Sequence, residues 1–382
     1  MYSTLNEIVD TLRVIFKDLI ESVFLEERKE HLDKHPETKG NGFYCRSLKT
    51  TLGVVSNLQV PRVRDGSFQS QIFSKERRDE EIEKLVTELF IEGISTRRIT
   101  GILDKCFGIS LSHGSISKLA QPGIEEVKKW IERPLDKEYA AIFIDAFYFP
   151  LKRETVEKEA VYVALGITPE GYREVLGYWI PGGSEGASSW EDIFNKLKER
   201  GVESIDFVVA DGLTGIQDAI SRVFPKAKYQ YCVIHGIRNT IRQVRSSDKE
   251  EIAQDLQLIY KKETVKEAKL GLQTFSNKWF KKYPKVLRFW EGNFKELTQF
   301  MILPVELHKY LYTTNWVERN HKETKRRLKA MEQFQNERSA EGILYLLFKR
   351  QNEKYLSGVP HWKGAYKKYK EQIAETQLFL AI

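Results

Sequence analysis

The run Ala140-Ala141-Ile142-Phe143-Ile144-Asp145-Ala146-Phe147-Tyr148 is apolar apart from one carboxylate. Such a run reads as a strand buried on both faces, which requires a sheet covered by other elements on each side. A charge inside it is costly unless something pairs with it, and a metal ion is the obvious partner. Taken alone, Asp145 reads as a strand-end residue that caps a loop. The metal reading needs partner carboxylates elsewhere in the chain.

The 382 residues suffice for two or three domains. A formal net charge of +7 suits a polyanionic partner. Cys45, Cys106 and Cys232 are too few and too scattered for a disulfide framework and point to a reducing compartment. The N-terminal stretch alternates apolar and charged residues, unlike a signal peptide. No apolar run approaches the roughly 20 residues of a membrane span. The expectation is a cytoplasmic, nucleoid-associated protein with no membrane partner.

In chain order, Leu5, Ile8, Val9, Leu12, Ile15, Phe16, Leu19, Ile20 and Val23 fall on one face of an amphipathic helix over residues 5–32. That face is read as core rather than as a dimer contact. Tyr44–Val60, with β-type residues around Gly53, predicts a small strand pair followed by a basic turn in Val60-Pro61-Arg62-Val63-Arg64-Asp65-Gly66-Ser67-Phe68. Arg62 and Arg64 are solvated loop residues or, on the sharper reading, phosphate contacts. Beyond Ser74 the pattern is helical: Glu80–Glu92 stopped by Gly93, Thr96–Phe107 capped by Ser95, a turn over Gly108–Ser112, then His113–Leu119. The last two helices resemble a helix-turn-helix, with Arg97, Arg98, His113, Ser115 and Lys118 expected to meet DNA.

After a helical linker, Gly123–Arg133, the composition turns to β. Ala140–Tyr148, Ala160–Thr168 and Tyr172–Trp179 read as strands, followed by a helix over Ser188–Arg200. Strand Ser204–Ala210 ends in Asp211-Gly212, and helix Leu213–Phe224 leads to a short strand, Ala227–Cys232. The order β-β-β-α-β-α-β predicts an α/β core with a mixed sheet of ribonuclease H-like ordering. The roughly 75 residues after His235 are too long for a loop and read as an all-α insertion. Thr313–Arg327 then opens a late helix, followed by an apolar-aromatic helix through Arg350 and a basic tail.

Three carboxylates stand out: Asp145 in the first strand, Asp211 at the end of the fourth, and Glu318 near the start of the late helix. In a ribonuclease H-like sheet those two strands are neighbours, so the trio suits two Mg2+ (or Mn2+) ions about 3.5–4 Å apart. Singly, Asp211-Gly212 also reads as a turn and Asn315 with Glu318 as a capping box; together these readings explain the set poorly. At about 100° per residue, Glu318, Lys322 and Lys325 share a helix face, which Arg326 and Arg327 broaden, to hold DNA phosphates. Asn320 points away and is assigned to ordering the backbone. Cys232 and His235, spaced C-x2-H, have half the ligand set of a zinc site, but no second pair exists. They read as a satisfied core pair bracing the site from behind, the alternative being a His235 contact to DNA or to the Asp211 neighbourhood.

These stretches together resemble the Mutator-type transposases of bacterial insertion sequences. The resemblance runs from Gly42 to about Arg350. It is carried by the Val60–Phe68 turn, Gly93-Ile94-Ser95-Thr96-Arg97-Arg98, Ile144-Asp145-Ala146-Phe147-Tyr148, Ala210-Asp211-Gly212, Tyr231-Cys232-Val233-Ile234-His235 and Thr313-Thr314-Asn315-Trp316-Val317-Glu318-Arg319-Asn320. It implies a DDE triad of Asp145, Asp211 and Glu318, a signature C-x2-H pair and an insertion domain before Glu318. The chain departs from the pattern at Val63, where a second charged residue is expected. The implied activity is metal-dependent cleavage and strand transfer at the terminal inverted repeats of a mobile element, with Lys325 and Arg327 steadying the DNA and a homodimer assembled on double-stranded DNA. The alternatives are a recombinase that forms a covalent protein–DNA adduct and a DNA-binding regulator derived from a transposase. The expected organisation is an N-terminal helix and strand pair (1–73), a helix-turn-helix-like domain (74–134), the first part of the core (135–235), the insertion (236–308), the Glu318 helix (309–350) and the tail (351–382).

Overall fold

The computed structural model describes residues 2–50, 53–71, 80–152, 156–180, 190–312, 315–329, 337–358, 362 and 364–380. The chain divides into two compact units, Met1–Pro122 and Gly123–Ile382. Among the described residues no helix is long and apolar enough to cross a membrane.

The first unit opens with helix α1 (Tyr2–Lys34) and a hairpin of β1 (Gly40–Thr50) and β2 (Gly53–Val63). Ile20 and Phe24 of α1 pack on Leu48, Val55, Leu58 and Val60, while Leu12, Ile15 and Leu19 on the same predicted face stay exposed. The strands run further than the sequence pattern indicates. Pro61, which lacks an N–H, is accepted because both strands of a two-stranded sheet are edges. Arg62 therefore lies within β2, its guanidinium 4.7 Å from the Tyr44 ring centre, and the turn begins at Arg64, whose N–H donates to Lys39 O at 2.9 Å. Helices α2 (Glu80–Ile91), α3 (Thr96–Phe107) and α4 (His113–Ala120) follow. They enclose Ile82, Val86, Ile99, Leu103 and Ile116. Ser95 and Ser112 cap α3 and α4 by accepting from the Arg98 and Ser115 N–H groups.

In the second unit, α5 (Ile124–Ile131) precedes strands β3 (Glu138–Lys152), β4 (Val156–Ile167) and β5 (Arg173–Trp179). Then come α6 (Trp190–Glu199), β6 (Ser204–Ala210), α7 (Ile216–Val223) and β7 (Lys228–Tyr231). The beginning of the predicted 188–200 helix lies outside the described residues. The sheet order is β5-β4-β3-β6-β7, with β3 antiparallel to β4 and parallel to β6. Ile142 and Ile144 of β3 face Ile193, Phe194, Ile216 and Ile220 of α6 and α7. The alternate residues, Phe143, Asp145 and Phe147, face the other side by the two-residue period of a strand.

Six helices lead away from β7 and back: α8 (Val233–Gln243), α9 (Lys249–Tyr260), α10 (Val265–Trp279), α11 (Pro284–Gly292), α12 (Phe294–Leu297) and α13 (Val305–Tyr312). Buried Gln230 ties them to β7: its side chain donates to Tyr231 O and Leu297 O at 2.6 and 3.1 Å and accepts from the Phe300 N–H at 2.8 Å. Finally α14 (Asn315–Lys329), α15 (Glu337–Leu356) and α16 (Ala365–Leu380) close the unit. α14 packs on β3 and α15 on β5. Residues 351–382, expected as a tail, thus carry the end of one helix and a second one, whose Tyr366 and Lys370 donate to Asp206 at 2.9 Å.

The edge of β5 is protected by α15. Buried Asn352 accepts the Val175 N–H at 2.7 Å and donates to Val175 O at 3.1 Å. Asn352→Leu keeps the volume but strands a buried N–H, which should lower the unfolding free energy by about 1–3 kcal/mol in denaturant titrations.

Candidate active site

The register of the two parallel strands creates the site. Ile144 of β3 pairs with Ala210 of β6, so the next residues along, Asp145 and Asp211, emerge side by side. Both lie on the face opposite the α6/α7 core. Asp211 is held where β6 gives way to a tight turn. A Cβ at Gly212 would meet the Tyr231 ring at 2.8 Å, so only glycine fits there. From β7 the chain enters α8, anchored by the Cys232 N–H on Ala210 O at 2.8 Å, and the first turn of α8 delivers His235. One ligand atom each of Asp145, Asp211 and His235 lie within 4.8 Å of one another.

A fourth residue arrives from α14. His321, 5% exposed, places Nδ1 3.1 Å from Asp145 Oδ2, and its ring lies 5.4 Å from that of Phe147. The other carboxylate oxygen accepts the Ala146 N–H at 2.8 Å. Burial acts to raise the Asp145 carboxyl, but the His321 hydrogen bond and charge, the His235 charge and the Ala146 N–H hold it below the usual carboxylate range. Asp211 behaves oppositely. Burial and the Asp145 charge push its carboxyl up, against the pull of His235. Asp211 Oδ1, His235 Nδ1 and His321 Nε2 are buried without a hydrogen-bond partner.

Of the two readings of His235, the satisfied core pair and the contact to the Asp211 neighbourhood, the geometry fits the second: Cys232 is buried, and His235 turns an unpartnered Nδ1 among the carboxylates. A helix starting at Cys232 projects position 235 back over the sheet end instead of behind it. Glu318 lies in α14, but the side chains of Asn315, Glu318 and Asn320 are outside the described residues.

Known proteins give the site its context. The family described as "Transposase, Mutator family" matches residues 2–358. The transposase for insertion sequence element IS905 of Lactococcus lactis is 37% identical over 82% of this chain and 80% of its own length. The transposase for ISRM3 of Rhizobium meliloti is 31% identical, covering 91% of this chain and 89% of the relative. The transposase for IS256 in transposon Tn4001 of Staphylococcus aureus is 28% identical over 87% of each.

The chain belongs to the Mutator family of transposases. Of the residues expected from the sequence to meet DNA, Arg62, Arg64, Arg97, Arg98, His113 and Lys118 are exposed in the first unit. His113 Nδ1 lies 3.4 Å from Thr100 Oγ1, and Ser115 is engaged in capping, its N–H and hydroxyl both on Ser112 Oγ. Lys322, Lys325 and Arg326 are exposed on α14, and Arg327 is half-buried. The residue missed in the sequence is His321. A signal was present: Val317, His321, Thr324 and Leu328 recur at helical spacing and form the buried stripe of α14.

Two outcomes follow for the metal-free protein. His321→Leu removes the hydrogen bond and charge that most oppose burial and leaves only the Ala146 N–H and the His235 charge, so the Asp145 carboxyl should rise from its depressed position, as read by carboxyl NMR titration. Asp211, whose carboxyl is raised on folding, begins to disfavour the folded state as pH passes the ordinary carboxylate range and does so fully once pH exceeds the raised value. Asp211→Asn should therefore raise the melting temperature near neutral pH, with the gain vanishing as pH falls below the ordinary carboxylate range.

Proposed function

We propose that this Mutator-family protein binds the terminal inverted repeats of its own element and catalyses metal-dependent DNA cleavage and strand transfer through Asp145, Asp211 and Glu318. The observation that carries the proposal is the convergence of Asp145 and Asp211 from adjacent parallel strands, with Asp211 Oδ1 and His235 Nδ1 buried and unpartnered beside them. The sheet order and strand directions support reading the second unit as a ribonuclease H-like core.

The donor set fits a divalent cation: two carboxylates and an imidazole converge, and two of their atoms lack any other partner. The carboxylates favour Mg2+ or Mn2+, while the imidazole is the softer donor. Such an ion supplies a nucleophile at neutral pH and offsets charge building on phosphodiester oxygens. The described donors make one such site; a second ion is the part of the proposal assigned to Glu318.

The chain's own residues prepare the chemistry. His321 at Oδ2 favours the ionised form of Asp145, and together with the Ala146 N–H at Oδ1 it fixes the orientation of the carboxylate. Asp211 carries a charge that its surroundings resist, so a cation there relieves the strain of two neighbouring carboxylates. Exposed Lys322, Lys325 and Arg326 offer charges to DNA phosphates on the helix that carries Glu318. In the proposed reaction water opens a phosphodiester at an element end, leaving a 3′-OH. That hydroxyl then attacks a second phosphodiester, displacing its 3′-oxygen without a covalent protein–DNA intermediate.

The test is incubation of the protein and Mg2+ with labelled element ends, mapping the nicks. Asp145→Ala, Asp211→Ala and Glu318→Ala should each reduce cleavage to background while DNA binding persists. Normal cutting by any one of them removes that residue from the triad.

A further inference from the structure

Helix α8 joins the candidate site to the helical segment beyond it, and its two faces differ sharply. Val233, Gly236 and Thr240 are buried. The opposite face presents His235, Arg238 and Arg242 at helical spacing, both arginines exposed, and exposed Arg245 follows just past the helix end. α8 contains no acidic residue. The row therefore begins at His235, whose Nδ1 is unpartnered among the carboxylates, and leads away through Arg238 and Arg242 to Arg245.

We propose that this face of α8 is a track for the sugar-phosphate backbone of the DNA strand leaving the reacting phosphodiester. The assignment rests on the proposed cleavage function and adds where the flanking strand lies. The scale matches: seven residues of helix from His235 to Arg242 rise about 10 Å. That equals about three nucleotide steps measured along the axis of a duplex, at roughly 3.4 Å per step. Arginine suits the role, because its planar fork grips phosphate oxygens in pairs.

The track is also fixed relative to the site. The Cys232 N–H binds Ala210 O at 2.8 Å, one residue before Asp211. On the buried side the Trp290 ring N–H donates to Thr240 Oγ1 at 2.9 Å. Phe289 packs so closely on Gly236 that an added Cβ would sit 3.4 Å from its ring. The arginines thus start from a rigid base, and little ordering is required of the protein backbone when a strand arrives.

The test measures affinity of the full chain for a short duplex of arbitrary sequence, without metal, across a range of salt concentrations. The double variant Arg238→Gln/Arg242→Gln should flatten the slope of log affinity against log salt by about 2, since each phosphate that a side chain neutralises adds near 0.9 to the slope. The control Lys266→Gln/Lys269→Gln, at exposed lysines of α10, should leave the slope unchanged. Arg238→Lys/Arg242→Lys should restore the slope, which separates removal of a phosphate-binding charge from misfolding. A wild-type slope in the double glutamine variant, or an equal drop in the lysine control, overturns the track. Failure of the wild-type chain to bind DNA at all would instead overturn the function on which it rests.

Discussion

The second unit depends on a carboxylate buried in its central strand. Asp145 lies on β3, which has neighbours on both sides and helices over both faces, so its side chain, 16% exposed, is largely withdrawn from bulk water. An uncompensated carboxylate there would be expensive. Compensation comes from three separate elements: the Ala146 N–H of its own strand, His321 from α14 and the nearby charge of His235 from α8. Those helices are far apart in the chain, and the long run of helices between them is tied to the sheet through Gln230. Satisfying one buried charge therefore constrains where each segment can dock.

Much of this is legible in the sequence because the apolar periods are clean. The β-β-β-α-β-α-β order, the strand Ser204–Ala210 and the helix Thr96–Phe107 with its Ser95 cap all recur in the structure. Asp145 and Asp211 stand out in the sequence because a charge within an apolar strand, or directly after one, is conspicuous, and the parallel pairing of β3 with β6 brings them together. The histidines are harder to interpret. His321 sits in a run of lysines and arginines, where a ring that titrates near neutrality passes for one more surface base; only the stripe it shares with Val317, Thr324 and Leu328 marks it as buried. His235 reads as satisfied because spacing reports which residues are close along the chain, not which way a helix turns them. Arg62 and the C-terminal region depart from expectation for a related reason. A strand or helix extends as far as its partners support it, and those partners, Phe43 for Pro61 and Asp206 for Tyr366, are distant in sequence.

The site is built at some expense to stability. Asp211 Oδ1, His235 Nδ1 and His321 Nε2 have no protein partners, whereas the surrounding polar side chains are engaged: Gln230 by three hydrogen bonds and Thr240 by two. Buried unsatisfied atoms are rare in folded proteins and each costs on the order of 1–3 kcal/mol. Three such atoms on residues that converge on one another are hard to reconcile with a purely structural role.

That arrangement bears on the third carboxylate of the proposed triad. Because a long helical segment precedes α14, Glu318 need not be close to the sheet until substrate or a second subunit organises that segment. The docking of α14 argues otherwise. Its buried stripe packs on β3, His321 is bonded to Asp145, and Thr324 accepts from Gln351 of α15 at 3.2 Å. Residue 318 precedes His321 by three positions, a rise of about 4.5 Å along the helix. The packing of α14 on β3 through His321 thus sets the helix backbone around residue 318 close to the strand that carries Asp145.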